Sequence, residues 1–181
     1  PKNLQTLEEK GFLSPSQVSK VVLAYTHSSP VEELRSFLIK FKGIDYLKVA
    51  LKLTSPQLLE IAKNGFTQLR SLDLGSSTRD SAVAFAIAAN PAFKTLRELF
   101  YPNRDANFLE RVTPRLPDFT ENRITFDAAR ALLTSDNLKN LEKLDLRGYY
   151  YSPAERDELR KLAEARNVKL YISEPTRDIA P

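Results

Sequence analysis

The sequence predicts an α/β fold built from a repeated strand–turn–helix unit, which is clearest over 141–162. Three leucines spaced as L-x-x-L-x-L mark a short strand: Leu141, Leu144 and Leu146. Six residues after the last of them stands Ser152, followed by Pro153 and Glu155. These are a helix N-cap, a first-turn proline and the glutamate of a capping box. The segment is therefore expected to form a strand, a turn and a capped helix.

The apolar strand pattern recurs along the chain. Its middle position is occupied in turn by Val21, Leu47, Leu72, Leu99, Pro117, Leu144 and Leu170. The steps between these positions are 26, 25, 27, 18, 27 and 26 residues. The step of 18 is irregular, and proline is a poor residue for a central strand. The unit at Pro117 therefore departs most from the pattern.

The helix caps show a second period that agrees with the first. A residue type that caps helix N-termini stands six positions after the third apolar residue of each unit: Ser29, Ser55, Asp80, Asn107, Thr125 and Ser152. Each such cap stabilises a helix by about 1 kcal/mol relative to alanine. Because the two patterns rest on different residues, their agreement predicts a repeat array over 18–173. An N-terminal cap at 1–17 and a flexible tail at 174–181 are expected to flank it.

Composition limits the classes of function. A chain of 181 residues with 42% hydrophobic content can bury a core as one domain. The net charge of +4 is spread along the chain, whereas nucleic-acid platforms usually cluster their basic residues. The absence of cysteine favours an intracellular location, with a secreted effector as the alternative. The longest apolar run, 82–89, is too short to span a bilayer, so no membrane partner is expected.

Three stretches carry a resemblance to a known family: LRSLDLGSS at 69–77, ENRITFDAARALL at 121–133 and NLEKLDLRGYYYSPAERDELRKLAE at 140–164. They resemble leucine-rich repeats of the ribonuclease-inhibitor-like, helix-bearing class, and 122–133 is especially similar to bacterial members. The resemblance covers roughly 18–173. It implies a right-handed α/β solenoid of about six repeats, with a parallel sheet on its concave face and helices on its convex face.

The sequence departs from this family in the turn after each strand. The family usually places Asn or Cys three residues after the third apolar position. Here that position holds Thr26, Lys52, Ser77, Arg104, Asn122 and Tyr149. Only Asn122 conforms. The run Tyr149-Tyr150-Tyr151 is open to two interpretations, a contact ridge for a partner or rings buried in the turn, and both can hold together.

The resemblance implies that alternate strand residues point out from the concave face. The candidate partner-binding residues on that face are Tyr46, Lys48, Asp73, Glu98, Phe100, Asp118, Lys143, Asp145, Arg147 and Tyr171. Such a mixture of aromatic and charged residues is typical of protein-binding surfaces, and a merely solvated face is the alternative. Asp118 and Asp145 are expected to be row neighbours about 5 Å apart. The flanking cations Lys143 and Arg147 are expected to neutralise them, which argues against an acid–base pair or a cation site.

The sequence therefore predicts a non-catalytic module that binds a protein partner of unspecified identity. A recognition or regulatory arm of a larger bacterial enzyme or effector is the alternative, followed by a nucleic-acid binder. No catalytic residue, metal site or cofactor is predicted, because no phosphate-binding loop or metal-ligand spacing occurs. His27 is the only histidine, so any Ser–His–Asp arrangement would need it.

Overall fold

The computed structural model of the chain describes residues 18–23, 43–49, 56, 57, 59, 68–74, 81–102, 124–149 and 151–173. Within these residues the fold is α/β, with one six-stranded parallel sheet whose strand order follows the chain order. The strands are β1 (Lys20–Leu23), β2 (Tyr46–Val49), β3 (Ser71–Asp73), β4 (Glu98–Phe100), β5 (Lys143–Leu146) and β6 (Lys169–Ile172). The helices with defined bounds are α1 (Ser81–Ala89), α2 (Phe126–Thr134) and α3 (Pro153–Ala165). The predicted α/β class and parallel sheet are confirmed.

The register of the sheet follows the predicted apolar row. Paired across neighbouring strands are Val21, Leu47, Leu72, Leu99, Leu144 and Leu170. The side chains of Leu47, Leu72, Leu99 and Leu144 are fully buried. They pack with apolar helix residues, which include Val83, Ile87, Ala128, Leu132 and Leu159. The core therefore lies between the helices and one face of the sheet.

The predicted place of Pro117 in the row between Leu99 and Leu144 is wrong, because β4 pairs directly with β5 through these two leucines. Six residues connect β5 to α3 and seven connect β3 to α1, but 25 connect β4 to α2. The irregular step of 18 residues therefore falls within the long segment between β4 and α2, and it adds no strand between β4 and β5 of the described sheet. Most of this connection, 103–123, lies outside the described residues.

The predicted caps are confirmed at two helices. At α3, the Ser152 side chain accepts a hydrogen bond from the backbone N–H of Glu155 at 3.3 Å. The Glu155 carboxylate in turn accepts one from the backbone N–H of Ser152 at 2.7 Å, which completes the capping box. At α2, Thr125 Oγ1 accepts from the backbone N–H of Ala128 at 3.3 Å. The other predicted caps, Ser29, Ser55, Asp80 and Asn107, lie outside the described residues.

Side chains of later units satisfy the carbonyl groups at the ends of earlier helices. At the end of α1, the carbonyl oxygen of Ala88 accepts hydrogen bonds from the Ser135 hydroxyl and, at 3.1 Å, from Asn137 Nδ2. At the end of α2, the carbonyl oxygen of Leu133 accepts from Arg166 Nη1 at 2.7 Å. The last carbonyls of a helix have no partner within the helix. These bonds therefore stabilise each helix end and join successive units.

Two of the three consecutive tyrosines are buried in the turn after β5. The Tyr149 ring is 1% exposed and meets the Tyr101 ring edge-on, with 6.4 Å between centroids. The Tyr151 hydroxyl donates to the carbonyl oxygen of Ile124 at 3.1 Å, and burial raises the pKa of this hydroxyl above its ordinary value. The structural interpretation therefore holds for Tyr149 and Tyr151. Tyr150 lies outside the described residues.

Candidate partner-binding face

The face of the sheet turned away from the leucine core carries two columns of side chains, which we call the polar face. The first column contains Lys20, Tyr46, Ser71, Glu98, Lys143 and Lys169. The second contains Val22, Lys48, Asp73, Phe100, Asp145 and Tyr171. Successive strand residues alternate between the two faces, so both columns follow from the register of the buried leucines. The register thus brings the outward residues of the six strands into two columns.

On the β2–β4 side of the polar face, polar groups bond across neighbouring strands. Lys48 Nζ lies 3.5 Å from Asp73 Oδ2. The Ser71 hydroxyl donates to Glu98 Oε2 at 3.1 Å. Asp73 and Ser71 are themselves buried, at 6% and 8% exposed. In each contact, a carboxylate binds a donor from an adjacent strand, so both carboxylates have a partner within the sheet.

On the β4–β6 side, a lysine lies between two aromatic rings. Lys143 Nζ is 4.6 Å from the centroid of the Phe100 ring and 5.6 Å from that of Tyr171. Both rings are half-buried and belong to the strands on either side of Lys143. A cation at such distances is attracted to the negative face of an aromatic ring. The rings therefore hold the ammonium group in place on the surface.

Arg147, just beyond the end of β5, is fixed by a buried carboxylate. Its Nε and Nη2 donate to the two oxygens of Asp145 at 2.9 and 2.7 Å, and its backbone N–H donates to Asp145 Oδ1 at 3.2 Å. This hydrogen bonding raises the pKa of Arg147 above its ordinary value. Asp145 is 2% exposed, whereas the Arg147 side chain is 62% exposed. The carboxylate thus positions a guanidinium that faces solvent.

Tyr171 is the ring around which the cations of this side gather. The guanidinium carbon of Arg147 lies 5.7 Å from its centroid, and Lys169 Nζ lies 5.3 Å away. The adjacent Tyr171 side chain raises the pKa of the exposed Lys169 above its ordinary value. We call the resulting group the cation–aromatic cluster; it consists of Phe100, Lys143, Asp145, Arg147, Lys169 and Tyr171. It contains three cations and one carboxylate.

The expected pair of aspartates does not form between adjacent strands. Asp145 is flanked in its row by Phe100 on β4 and Tyr171 on β6. The prediction that Asp118 and Asp145 are row neighbours is therefore wrong, and Asp118 itself lies outside the described residues. The prediction assumed a strand at Pro117 between β4 and β5, which would have placed Asp118 beside Asp145.

The remaining candidate residues fall where the register predicts. Tyr46 is half-buried in the first column, beside Ser71. The structure adds one residue that was not among the candidates, Lys169, which joins Lys143 and Arg147 around the same ring. The signal for it was present in the sequence, because Lys169 is the residue of β6 that aligns with Lys143.

The described residues contain no group of three or more His, Cys, Asp or Glu side chains placed to hold a metal ion. None of the helices in the described ranges combines the length and the apolar character needed to cross a membrane. His27 lies outside these ranges. No model of a known protein family matches the chain, and no curated protein matches it significantly. The geometry of the polar face is therefore the basis for inferring a function.

Proposed function

We propose that the chain is a leucine-rich-repeat module that binds a protein partner through the polar face of its sheet and has no catalytic activity of its own. The observation that carries this proposal is the pair of half-buried rings, Phe100 and Tyr171, in outward strand positions. A strand face that meets only water has no need of aromatic residues. Aromatic side chains buried on binding are frequent hot spots, with truncation often costing about 2 kcal/mol or more.

The repeat interpretation draws support from the spacing of the elements. α2 begins 45 residues after α1, and β5 begins 45 residues after β4. The number of residues from the start of the helix to the start of the next strand is therefore the same in both units. The strands are only three or four residues long, and from β3 onward they alternate with helices, of which α2 and α3 carry N-caps, as in leucine-rich repeats. In this proposal the polar face is the concave side of a right-handed solenoid, and the helices form its convex side.

The test compares the two sides of the molecule in partner capture. The immobilised chain is used to capture proteins from a lysate, which are identified by mass spectrometry. Phe100→Ala changes the polar face, and the double variant Asp157→Ala/Lys161→Ala changes exposed residues of α3. Circular dichroism confirms that each variant is folded.

We expect Phe100→Ala to lose the captured protein, because its ring belongs to the proposed contact surface, and the α3 variant to retain it. Capture that survives Phe100→Ala but is abolished by the α3 variant would assign binding to the helices and refute the proposal.

A further inference from the structure

We propose that the cation–aromatic cluster binds carboxylate side chains, so that the partner presents an acidic peptide segment to strands β4–β6. This inference rests on the proposed function and specifies the chemistry of its partner. It follows from the balance of charge in the cluster, from the way the cations are held, and from the acidic groups that border them.

The charge that the cluster offers to a ligand is positive. Its only carboxylate, Asp145, is 2% exposed, and both of its oxygens accept from Arg147. Asp145 therefore cannot turn toward a partner without leaving that pair. The three cations are more accessible: Lys169 and Arg147 are exposed and Lys143 is half-buried. Within the described residues, no carboxylate lies within ion-pair distance of Lys143 or Lys169.

The cations are also held in position before any ligand arrives. Lys143 lies between two rings, and Arg147 is anchored through Nε and Nη2, which leaves three of its five N–H groups to donate elsewhere. All three charged groups lie within 5.7 Å of the Tyr171 centroid. Groups already ordered lose less conformational entropy when they bind, which favours affinity. The patch has the size of a few side chains, which suits a short segment carrying several carboxylates.

The borders of the cluster favour an acidic peptide over a nucleic acid. Glu98 aligns with Lys143 in the first column, and Asp73 aligns with Phe100 in the second. A phosphate backbone carries a charge at every nucleotide and binds best along a continuous stripe of cations. Here Glu98 and Asp73, which are already bonded to Ser71 and Lys48, interrupt the row of cations next to the cluster. A peptide can instead place Asp or Glu over the cations and an apolar residue over Phe100.

The experiment measures binding of defined probes to the isotopically labelled chain by nuclear magnetic resonance. The probes are a decapeptide of glutamate with a central leucine, the same peptide with glutamine in place of glutamate, and a single-stranded DNA decamer. Each is titrated into the millimolar range. Lys143→Gln/Lys169→Gln removes two charges of the cluster, and Lys139→Gln/Lys161→Gln removes two exposed charges outside the polar face as a matched control.

We expect the acidic peptide to shift the resonances of Lys143, Arg147 and Tyr171 and to bind at least tenfold more tightly than the glutamine peptide. The cluster variant should weaken it about tenfold, and the control variant less than twofold. A tenfold change corresponds to about 1.4 kcal/mol. Equal binding of the two peptides, no loss in the cluster variant, or tighter binding of the DNA would overturn the inference.

Partner capture separates this inference from the proposed function. If Phe100→Ala abolishes capture but Lys143→Gln/Lys169→Gln does not, the polar face binds the partner by other means and the inference is wrong. If neither variant changes capture, the proposed function fails as well.

Discussion

The two faces of the sheet use the same strands in opposite ways, and β5 shows this most clearly. Leu144 and Leu146 are fully buried against the helices, whereas Lys143 and Asp145 belong to the polar face. The face that contains the buried leucines, which we call the leucine face, is held by close packing of apolar groups. The polar face is held by ion pairs and cation–ring contacts. Substitutions one residue apart should therefore alter different properties, stability on one face and recognition on the other.

The difference between the two faces is tested most strongly by making a cavity on the leucine face. Leu144→Ala should lower the free energy of unfolding by about 2–5 kcal/mol, because it removes a fully buried side chain. The measurement is urea denaturation followed by circular dichroism. Lys143→Ala, one residue away, serves as the control and should cost about 1 kcal/mol at most, because it removes only cation–ring contacts at the surface. Equal effects of the two changes would show that the faces are not distinct.

Asp145 tests whether the polar face contributes to stability at all. Asp145→Asn should destabilise the chain by about 1.5–3 kcal/mol, because hydrogen bonds between charged groups are replaced by weaker ones at a buried position. Urea denaturation provides the value, and Arg147 Nε–H resonances report whether the guanidinium is still held. An unchanged resonance and an unchanged stability would mean that Asp145 does not position Arg147.

The cap of α3 provides a local measure on the helix side. Ser152→Ala should cost roughly 1 kcal/mol, because the backbone N–H of Glu155 loses its acceptor. Hydrogen exchange over 153–162 should become faster. Ser152→Asp, which retains a capping oxygen, should restore protection; if Ser152→Ala leaves exchange unaltered, the cap does not stabilise the helix.

The smallest expected effect concerns the β2–β3 ion pair. Lys48→Gln removes a cation that lies 3.5 Å from the Asp73 carboxylate, and the Lys48 side chain is 28% exposed. Partly solvated pairs contribute between about 0 and 1 kcal/mol, so stability should fall by less than about 1 kcal/mol. Thermal unfolding at low and high salt measures this. A loss as large as that of Leu144→Ala would contradict the division between the two faces.

The sequence determined the register of the sheet more reliably than the number of strands. Leucines at Leu72, Leu99 and Leu144 carry the period, and their burial explains why it was visible. The sequence around Pro117 matched the repeat pattern because Phe119 lies six residues before Thr125, the cap of α2. Two features argued against a strand between β4 and β5, namely a step shorter than the range for such repeats and a proline in a central strand position.

The pairing of side chains on the polar face could be predicted only in part. The alternation of side chains along each strand predicted that Lys143, Phe100 and Tyr171 lie on the same face, because the face of a residue depends on the backbone alone. Which groups meet depends on strand neighbours and side-chain conformations. Because β4 is the direct neighbour of β5, Lys143 lies beside the Phe100 ring and not beside a pair of aspartates.

The agreement between strand order and chain order has a consequence for how the chain folds. Most neighbouring strands in the described sheet are separated by 25–27 residues, and β4 and β5 by 45. The entropy of closing a loop grows only with the logarithm of its length, so the longer connection adds about 0.5 kcal/mol. We therefore expect the sheet to grow strand by strand from any early pair. The connection between β4 and α2 is accordingly a place where the chain length can change at little thermodynamic cost.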